Sequence, residues 1–323
     1  MPPAWSTGTF SKNPNHTKIM LIDSKRLNAA SQGFRAIYLA AYDGATPNWS
    51  KVAMRTTSTG ESESYEFLLG IPQMKEMVGE VTLQNIADSG FTIRNKEFEA
   101  TVPVKRKVIE RDNLNILKPA LAEMGHNAAF HPDQLVTKLL SNGFLEKDYT
   151  GAAFFAANKK YNPSATGAKA LKFTNKTDAP LSADAIDAAR ASLRKRTDAE
   201  GNNLNLGQQF LLVVPPTLEA LALKLSKADQ IEGTTNTQKG TFEVLVLNGL
   251  TSDTAWFVLE VGREIMPLIV QYEVEPEFVA STSPDSDHVL LRKEFIYQVY
   301  DRKNAGYGLP QLAYGSTGDA VAE

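Results

Sequence analysis

Hydrophobic and polar positions alternate on either side of residues 70–90, and that alternation sets the plan of the chain. Over residues 61–69, Tyr65, Phe67 and Leu69 share one face and Ser62, Ser64 and Glu66 the other, which predicts a half-buried strand. Residues 91–109 predict a longer returning strand, with Phe98, Ala100, Val102, Val104 and Val108 on one face and Glu97, Glu99, Thr101, Lys105 and Lys107 on the other. Phe91 and Ile93 sit on the wrong parity. A two-residue period cannot change phase without an extra residue or a bend, so a bulge or kink is predicted between Ile93 and Phe98. A straight returning arm would reach on the order of 60 Å, beyond the radius of a compact domain of this size. A lone two-stranded ribbon is marginal in water, so this one needs a surface outside its own domain, and a second copy is the simplest candidate. Pro103 fits an edge position because it removes a ladder donor.

A helical pattern follows over residues 115–142. Asn115 is a cap, Pro119 then falls at the fourth helical position, and Leu114, Leu117, Leu121, Met124, Ala128, His131, Leu135 and Leu139 form one stripe. Pro132 either kinks this rod or starts a second helix capped by His131, and Asn142-Gly143 ends it. Upstream, residues 1–18 have no period and predict an extended arm, whereas residues 23–42 place Leu27, Ala30, Phe34, Ile37, Tyr38 and Ala41 on one helical stripe. Between the hairpin arms, Met74, Met77 and Val78 predict a short helical turn closed by Gly79.

Beyond Gly143, an apolar patch at residues 152–157 and a Pro/Gly/Asn/Lys-rich loop predict a surface excursion. Ser182 caps a helix whose stripe is Ile186, Ala189 and Leu193. Arg194, Lys195 and Arg196 at its end could touch phosphate, but compensation of the helix dipole at a solvated end is the simpler account. Strands are predicted at residues 209–214, 242–247, 255–261 and 268–274, a helix at 217–228, and a polar loop at 229–240. Pro284-Asp285-Ser286-Asp287 makes a turn before a last strand at 288–301 that puts Val289, Leu291, Phe295, Tyr297 and Val299 on one face. The tail after Ser316 is expected to fray.

Composition narrows the classes. The 323 residues can bury a large core as one domain or two interlocked ones. A net charge of −3 leaves no global field, which argues against nucleic-acid binding as the main business of the outer surface. With no cysteine, stability must come from packing and assembly, in keeping with a reducing cytoplasm. The N-terminus lacks the regions of a signal peptide and no apolar run approaches a membrane span, so a soluble chain is expected. Glu123 and His126 have the spacing of carboxylate-bridged di-iron helices, but in a single copy, and His131 lies on another face. Asp285-Ser286-Asp287-His288 lacks the glycine and glutamate of a calcium loop and reads as a turn. Gly306-Tyr307-Gly308 matches a potassium filter in letters only. Phosphate-binding, dinucleotide and hydrolase-elbow motifs are missing from the sequence, so no catalytic, cofactor or metal residue is assigned and no enzyme is expected.

Several runs resemble the major head subunit of Mu-like phages, the gpT family. They are Leu69-Gly70-Ile71-Pro72, Val78-Gly79-Glu80, Asn95-Lys96-Glu97-Phe98-Glu99-Ala100-Thr101-Val102, His131-Pro132-Asp133, Val213-Val214-Pro215-Pro216-Thr217, Glu277-Phe278-Val279 and Asn304-Ala305-Gly306-Tyr307-Gly308. Their order and spacing, from about Asp23 to Tyr314, carry the resemblance. It implies an α+β capsid fold of the HK97 type: an N-terminal arm and helix over 1–50, an extended E-loop over 51–112, a peripheral domain with a long spine helix over 113–200, an axial domain over 201–280, and a return to the peripheral domain with a C-terminal tail over 281–323. The implied role is self-assembly of hexamers and pentamers into an icosahedral shell around double-stranded DNA, which is contacted non-specifically. Portal and scaffolding proteins are implied partners, decoration proteins are further ones, and no membrane is involved. The shell would be built in the host cytoplasm and end in the virion. A separate scaffolding protein is implied because no long coiled-coil segment precedes residue 23. An encapsulin-like compartment holding protein, and a soluble enzyme, are the competing readings.

Overall fold

Apolar residues at three- and four-residue steps form the first helix. The computed structural model describes residues 24–65, 91–110, 114–162, 170–231, 233–283 and 286–319. Helix α1 spans Ser24–Gly44 and buries Leu27, Ala30, Phe34 and Tyr38 of its predicted stripe. The arm predicted at 1–18, the turn near residues 74–78 and the tip of the hairpin lie outside the described residues. Strand β1 (Ala53–Thr57) precedes the short strands β2 (Ser62–Ser64) and β3 (Thr92–Arg94), which pair antiparallel with Glu63 opposite Ile93. The ladder breaks at Asn95 and resumes as β4 (Lys96–Lys105). The predicted change of parity is therefore present, with Ile93 buried before the break and Val104 buried after it.

The returning arm is shorter than predicted, because the chain turns after Lys105 into helix α2 (Arg106–Glu110). A 3-10 turn at Leu114–Leu117 leads into α3 (Lys118–Asn142). Asn115 thus lies in the turn rather than at a cap, and Pro119 falls at the start of the helix, where its missing N–H costs nothing. Pro132 is accommodated inside a continuous helix. The buried line runs from Leu121 and Met124 to Pro132, Val136 and Leu140, not to Leu135 and Leu139. It rotates because the partners change: Leu121 and Met124 pack with α1, whereas Val136 and Leu140 enter a different core.

Strands β5 (Lys159–Lys160) and β6 (Lys172–Phe173) pair before β7 (Lys176–Thr177). The 152–157 patch is core rather than surface: Phe154 stacks on Tyr307 at 4.6 Å, and Phe155 lies 5.2 Å from Phe257. Helix α4 (Ala183–Arg194) starts as predicted, with the Ser182 hydroxyl accepting the Ala185 N–H at 3.1 Å. Then come β8 (Phe210–Val214), buried at every position, α5 (Glu219–Lys227), a minimal hairpin of β9 (Gln230–Ile231) and β10 (Thr234–Thr235), β11 (Glu243–Val246) and β12 (Trp256–Glu260). Strand β13 (Leu268–Ser281) continues well past its predicted end. The last predicted strand begins instead as helix α6 (Asp287–Arg292), because the Ser286 hydroxyl accepts the Val289 N–H and Lys293, at φ 56°, closes the turn. Leu291 is consequently 83% exposed instead of buried. Strand β14 (Glu294–Tyr307) carries Phe295, Tyr297 and Val299 inward as predicted, and β15 (Ala313–Ser316) ends the order.

Besides the two-stranded pairs, the described residues form two larger sheets, one ordered β1-β13-β14-β4 and one ordered β11-β8-β12-β15-β7. Helices α1 and α3 cover the first through Phe34, Tyr38, Leu121, Met124 and Tyr297. Helices α4 and α5 cover the second through Ile186, Leu193, Ala222 and Trp256. Between them lies a shared core in which Val136 and Leu140 meet Val213, Phe257, Leu268 and Val270, so the two layers are interlocked. β4 is an edge strand, as Pro103 required, but its other side is paired along its length with β14. The ribbon expected to project over residues 61–109 is therefore not free over its second half, since β4 lies in the first sheet; residues 66–90 lie outside the described residues. The final segment also differs from expectation: β14 returns to the first sheet, but β15 pairs with β12 in the second.

Candidate assembly surface

The hairpin leaves the first sheet through a neck built from polar side chains. Ser58 N–H donates to the Tyr272 carbonyl at 2.7 Å, fixing the exit from β1. The Asn95 amide, set at the ladder break, donates to the Ser58 hydroxyl at 3.0 Å and to the Gly60 carbonyl at 2.8 Å. Gln271, fully buried on β13, donates to the Asn95 side-chain oxygen at 2.7 Å and accepts from the Tyr65 hydroxyl at 2.7 Å. Leaving such a buried group open costs about 1–3 kcal/mol, so the cluster holds the neck in one arrangement. The Glu63 carboxylate accepts the Thr59 N–H at 2.8 Å and the Ser58 hydroxyl at 3.0 Å, and these bonds hold its pKa below the usual range. Tyr65 stacks on Phe91 at 5.4 Å.

The conspicuous glycines of the C-terminal motif serve this neck. A Cβ at Gly306 would lie 2.5 Å from the Ile93 side chain, and one at Gly308 would lie 2.8 Å from the Met266 carbonyl. Tyr307 between them donates to the Leu139 carbonyl at 2.8 Å, tying β14 to α3. The motif is therefore a close-packing device.

The other side chains singled out from sequence have structural settings. Glu123 and His126 are exposed on α3, whereas His131 is turned inward, edge-on to Phe98 at 4.3 Å. Burial, reinforced by the charge of Lys303, lowers the His131 pKa to about 4. Asp287 sits in the first turn of α6 and Asp285 lies outside the described residues. Among the described residues, no cluster of three or more His, Asp or Glu side chains is placed to hold a metal, and no helix is long and apolar enough to cross a membrane. The basic triplet at the end of α4 is not wholly solvated. Arg196 is buried, donates to the Thr174 carbonyl at 2.6 Å and covers the Phe173 ring at 4.7 Å, which removes it from any phosphate role.

Sequence reading missed two buried ion pairs, because period-two and helical patterns carry no signal for a charge turned inward. Lys159 pairs with Asp148 and also donates to the Ala153 and Phe154 carbonyls at 2.9 Å. Its burial lowers its pKa to about 8, against the opposing pull of Asp148. Lys303 pairs with Asp301 at 2.7 Å, where burial pushes the lysine down and the carboxyl up. Both pairs brace the interior. Among the described residues, what remains outside are sheet edges with one unpaired side, β4 among them, and isolated exposed apolar groups, including Ile116, Leu145, Leu290 and Leu291. Exposed edges and apolar groups of this kind suit contact with other chains better than chemistry on a small molecule.

Comparison with known proteins points the same way. The family model for the Mu-like prophage major head subunit gpT matches residues 27–179, 165–250 and 247–322. The major capsid protein of Escherichia phage Mu is 28% identical over 304 residues, which cover 94% of this chain and 77% of that protein. The Mu-like prophage FluMu major head subunit of Haemophilus influenzae is 25% identical over 279 residues, covering 86% and 69%. Among solved structures, the procapsid of bacteriophage JBD30 aligns with a TM-score of 0.61 at 27% identity, over 91% of this chain and 76% of that chain. The capsid of the empty GTA particle shares the fold alone, with a TM-score of 0.51 at 10% identity over 84% of this chain and 91% of that one.

Proposed function

The chain belongs to the Mu-like gpT family of major head subunits, with an HK97-like capsid fold, and on that premise we propose that it assembles into the icosahedral shell of a phage head around double-stranded DNA. The observation that carries this reading is the family match along nearly the whole chain. The structure supports it: polar bonds fix the chain on either side of residues 66–90, and the sheet edges and exposed apolar groups have no use in a lone molecule. Residues 58–95 form the E-loop. The four-stranded sheet with α1 and α3 forms the peripheral domain, α3 being the spine, and the five-stranded sheet with α4 and α5 forms the axial domain. Hexamers and pentamers bury the apolar groups left outside. The inner wall meets DNA weakly and without sequence preference, in keeping with a chain of net charge −3. Assembly takes place in the host cytoplasm with portal and scaffolding proteins, decoration proteins bind afterwards, and the virion is the destination. The role is structural rather than catalytic.

Electron microscopy of the full chain, produced with and without the scaffolding protein of its own phage or prophage, tests this. Closed shells of uniform size are expected. A monomer or small oligomer under every condition would refute the shell, and shells filled with a protein cargo instead of DNA would refute the phage-head role.

A further inference from the structure

Where the five-stranded sheet meets the neck, the chain lines a cavity of about 490 Å³. Its apolar wall comes from Leu204, Leu206, Ile265, Leu309 and Leu312, brought together by the segments before β8, between β12 and β13, and between β14 and β15. That volume and that lining suit a small molecule.

The polar groups of the wall decide which kind. Arg263 gives one terminal nitrogen to the Leu204 and Asn205 carbonyls, at 2.5 and 2.9 Å, while its Nε is buried with no acceptor. Among the described residues no carboxylate pairs with this guanidinium. Asp198, in the same wall, is committed to its own turn, accepting the Glu200 and Asn202 N–H groups at 2.8 and 2.9 Å, and Glu264 is exposed. Tyr149 accepts from Gln311 Nε2 at 2.7 Å, and burial raises its pKa, so the hydroxyl keeps a proton for which the described residues offer no acceptor. Against these two unused donors stands one unused acceptor, Gln311 Oε1. A brace for residues 204–205 accounts for one arm of Arg263. It leaves the Nε, the charge and the Tyr149 proton without a role. An unpaired cation beside a second donor in an apolar wall calls for an anionic acceptor on an apolar body.

The cavity also touches the neck. Tyr149 stacks on Phe91 at 6.3 Å, Phe91 stacks on Tyr65, and Ile265 and Leu309 pack against the cluster of Tyr65, Ile93 and Ile269. We propose that this cavity binds a small apolar carboxylic acid, its carboxylate accepting from Arg263 and Tyr149 and its hydrocarbon body lying on the leucines and Ile265. An occupant there presses on the same side chains that hold the neck, and so stiffens it.

The test is a titration of the unassembled full chain with octanoate, octanol and octylammonium, three probes with one body and different heads, followed by ligand-observed NMR. Octanoate is expected to bind saturably and at least about tenfold more tightly than octanol, with octylammonium the weakest. Arg263→Gln is expected to bring the octanoate-to-octanol ratio to about one, and Arg263→Lys to keep the preference. Because freeing the 204–205 carbonyls weakens both probes alike, the ratio reads the charge and not the loop. Tyr149→Phe, which keeps the ring on Phe91, is expected to lower the ratio about threefold and decides the matter if Arg263→Gln does not fold. No saturable octanoate binding, equal binding of the three probes, or a ratio that these substitutions leave unchanged overturns the proposal. Amide exchange with octanoate bound is expected to slow at residues 204–206, at 309–312 and at Ile93. Slowing confined to other segments overturns the location, and slowing at the cavity without Ile93 overturns the coupling to the neck.

Discussion

Gly125 marks the crossing of α1 and α3, and replacing it with alanine sets two opposing effects against each other. In an isolated helix the change gains about 0.8–1 kcal/mol, because alanine loses less backbone freedom. Here the new Cβ would lie 2.5 Å from the Tyr38 carbonyl oxygen, 3.0 Å from the Ala41 Cβ and 3.1 Å from the Tyr42 nitrogen. Two of these atoms are backbone, so relief requires the helices to separate by several tenths of an ångström. That movement loosens Tyr38, which is fully buried 5.5 Å from Phe278 and 6.0 Å from Tyr42. Overpacking of a close-packed site costs about 1–3 kcal/mol, and obstruction by backbone puts this one at the upper end. The balance is a net loss of about 1–2 kcal/mol. Gly33 is the internal control, since it is exposed on α1 and a Cβ there meets nothing within 4 Å. Gly33→Ala is expected to gain the propensity term undiminished, about 0.8 kcal/mol. Urea unfolding of the unassembled chain reads both, with the midpoint falling for Gly125→Ala and rising for Gly33→Ala. Midpoints that move in the same direction would refute the argument that backbone contact governs this crossing.

Asn95→Ala removes both bonds to the Ser58–Gly60 turn and takes from the buried Gln271 amide one of its two acceptors, leaving the Ile93 carbonyl, at a cost of about 1–3 kcal/mol; faster amide exchange at Ile93 and Ser58 and fewer complete shells are expected, and unchanged exchange would show that the neck does not depend on this residue. Phe154→Ala, at a fully buried ring stacked on Tyr307, is expected to cost about 3–5 kcal/mol and to leave little soluble chain, unless this patch is not core at all. For His131, the unfolded chain takes up the proton near pH 6.5 and the folded chain only near 4, so the neutral ring's contribution is complete above pH 6.5 and is lost as the pH falls toward 4. That linkage amounts to roughly 2–3 kcal/mol between pH 7 and 4.5. His131→Gln is expected to flatten the pH dependence of unfolding in that window, and identical slopes would contradict it.

Where one face of an element meets one partner, its period could be read directly. The α1 stripe, the strand β8 and a break between Ile93 and Phe98 all followed from counting, since burial on one side fixes the phase of a helix or strand. The misses share a different cause. The second half of α3 turned its buried line because it enters a core that only tertiary structure creates, and Phe154 and Phe155 had no period to reveal that they cap the same core. At residues 287–292 the apolar spacing predicts a strand, but the Ser286 hydroxyl accepts the Val289 N–H and decides for a helix, which alternation alone does not reveal. The neck was half visible: the parity change lies between Ile93 and Phe98, the stretch that holds Asn95, but the partners of Asn95, Ser58 and Gln271, lie 37 and 176 residues away in sequence. No local pattern announces a bond across such a distance.

Net charge illustrates the same limit in a form that bears on assembly. A total of −3 over 323 residues implies a chain with no strong field. Folding, however, gathers Lys105, Arg106, Lys107, Arg292 and Lys293 from two distant stretches into one cleft, while carboxylates predominate in residues 66–90. At physiological ionic strength, charges are screened over about 8 Å, so this cleft draws a carboxylate of a neighbouring copy only when the two are already close. Attraction of that range cannot pull random pairs together from solution, but it rewards the orientations that bring carboxylates to the cleft. Exposed leucines beside the cleft then add burial that strengthens as the contact tightens and does not weaken with salt. Raising the salt should therefore slow the ordering of neighbours more than it dissolves finished shells, a separation that light scattering during assembly and after dilution into high salt would read directly; equal sensitivity of the two stages would mean that charge, not apolar burial, holds the finished contact.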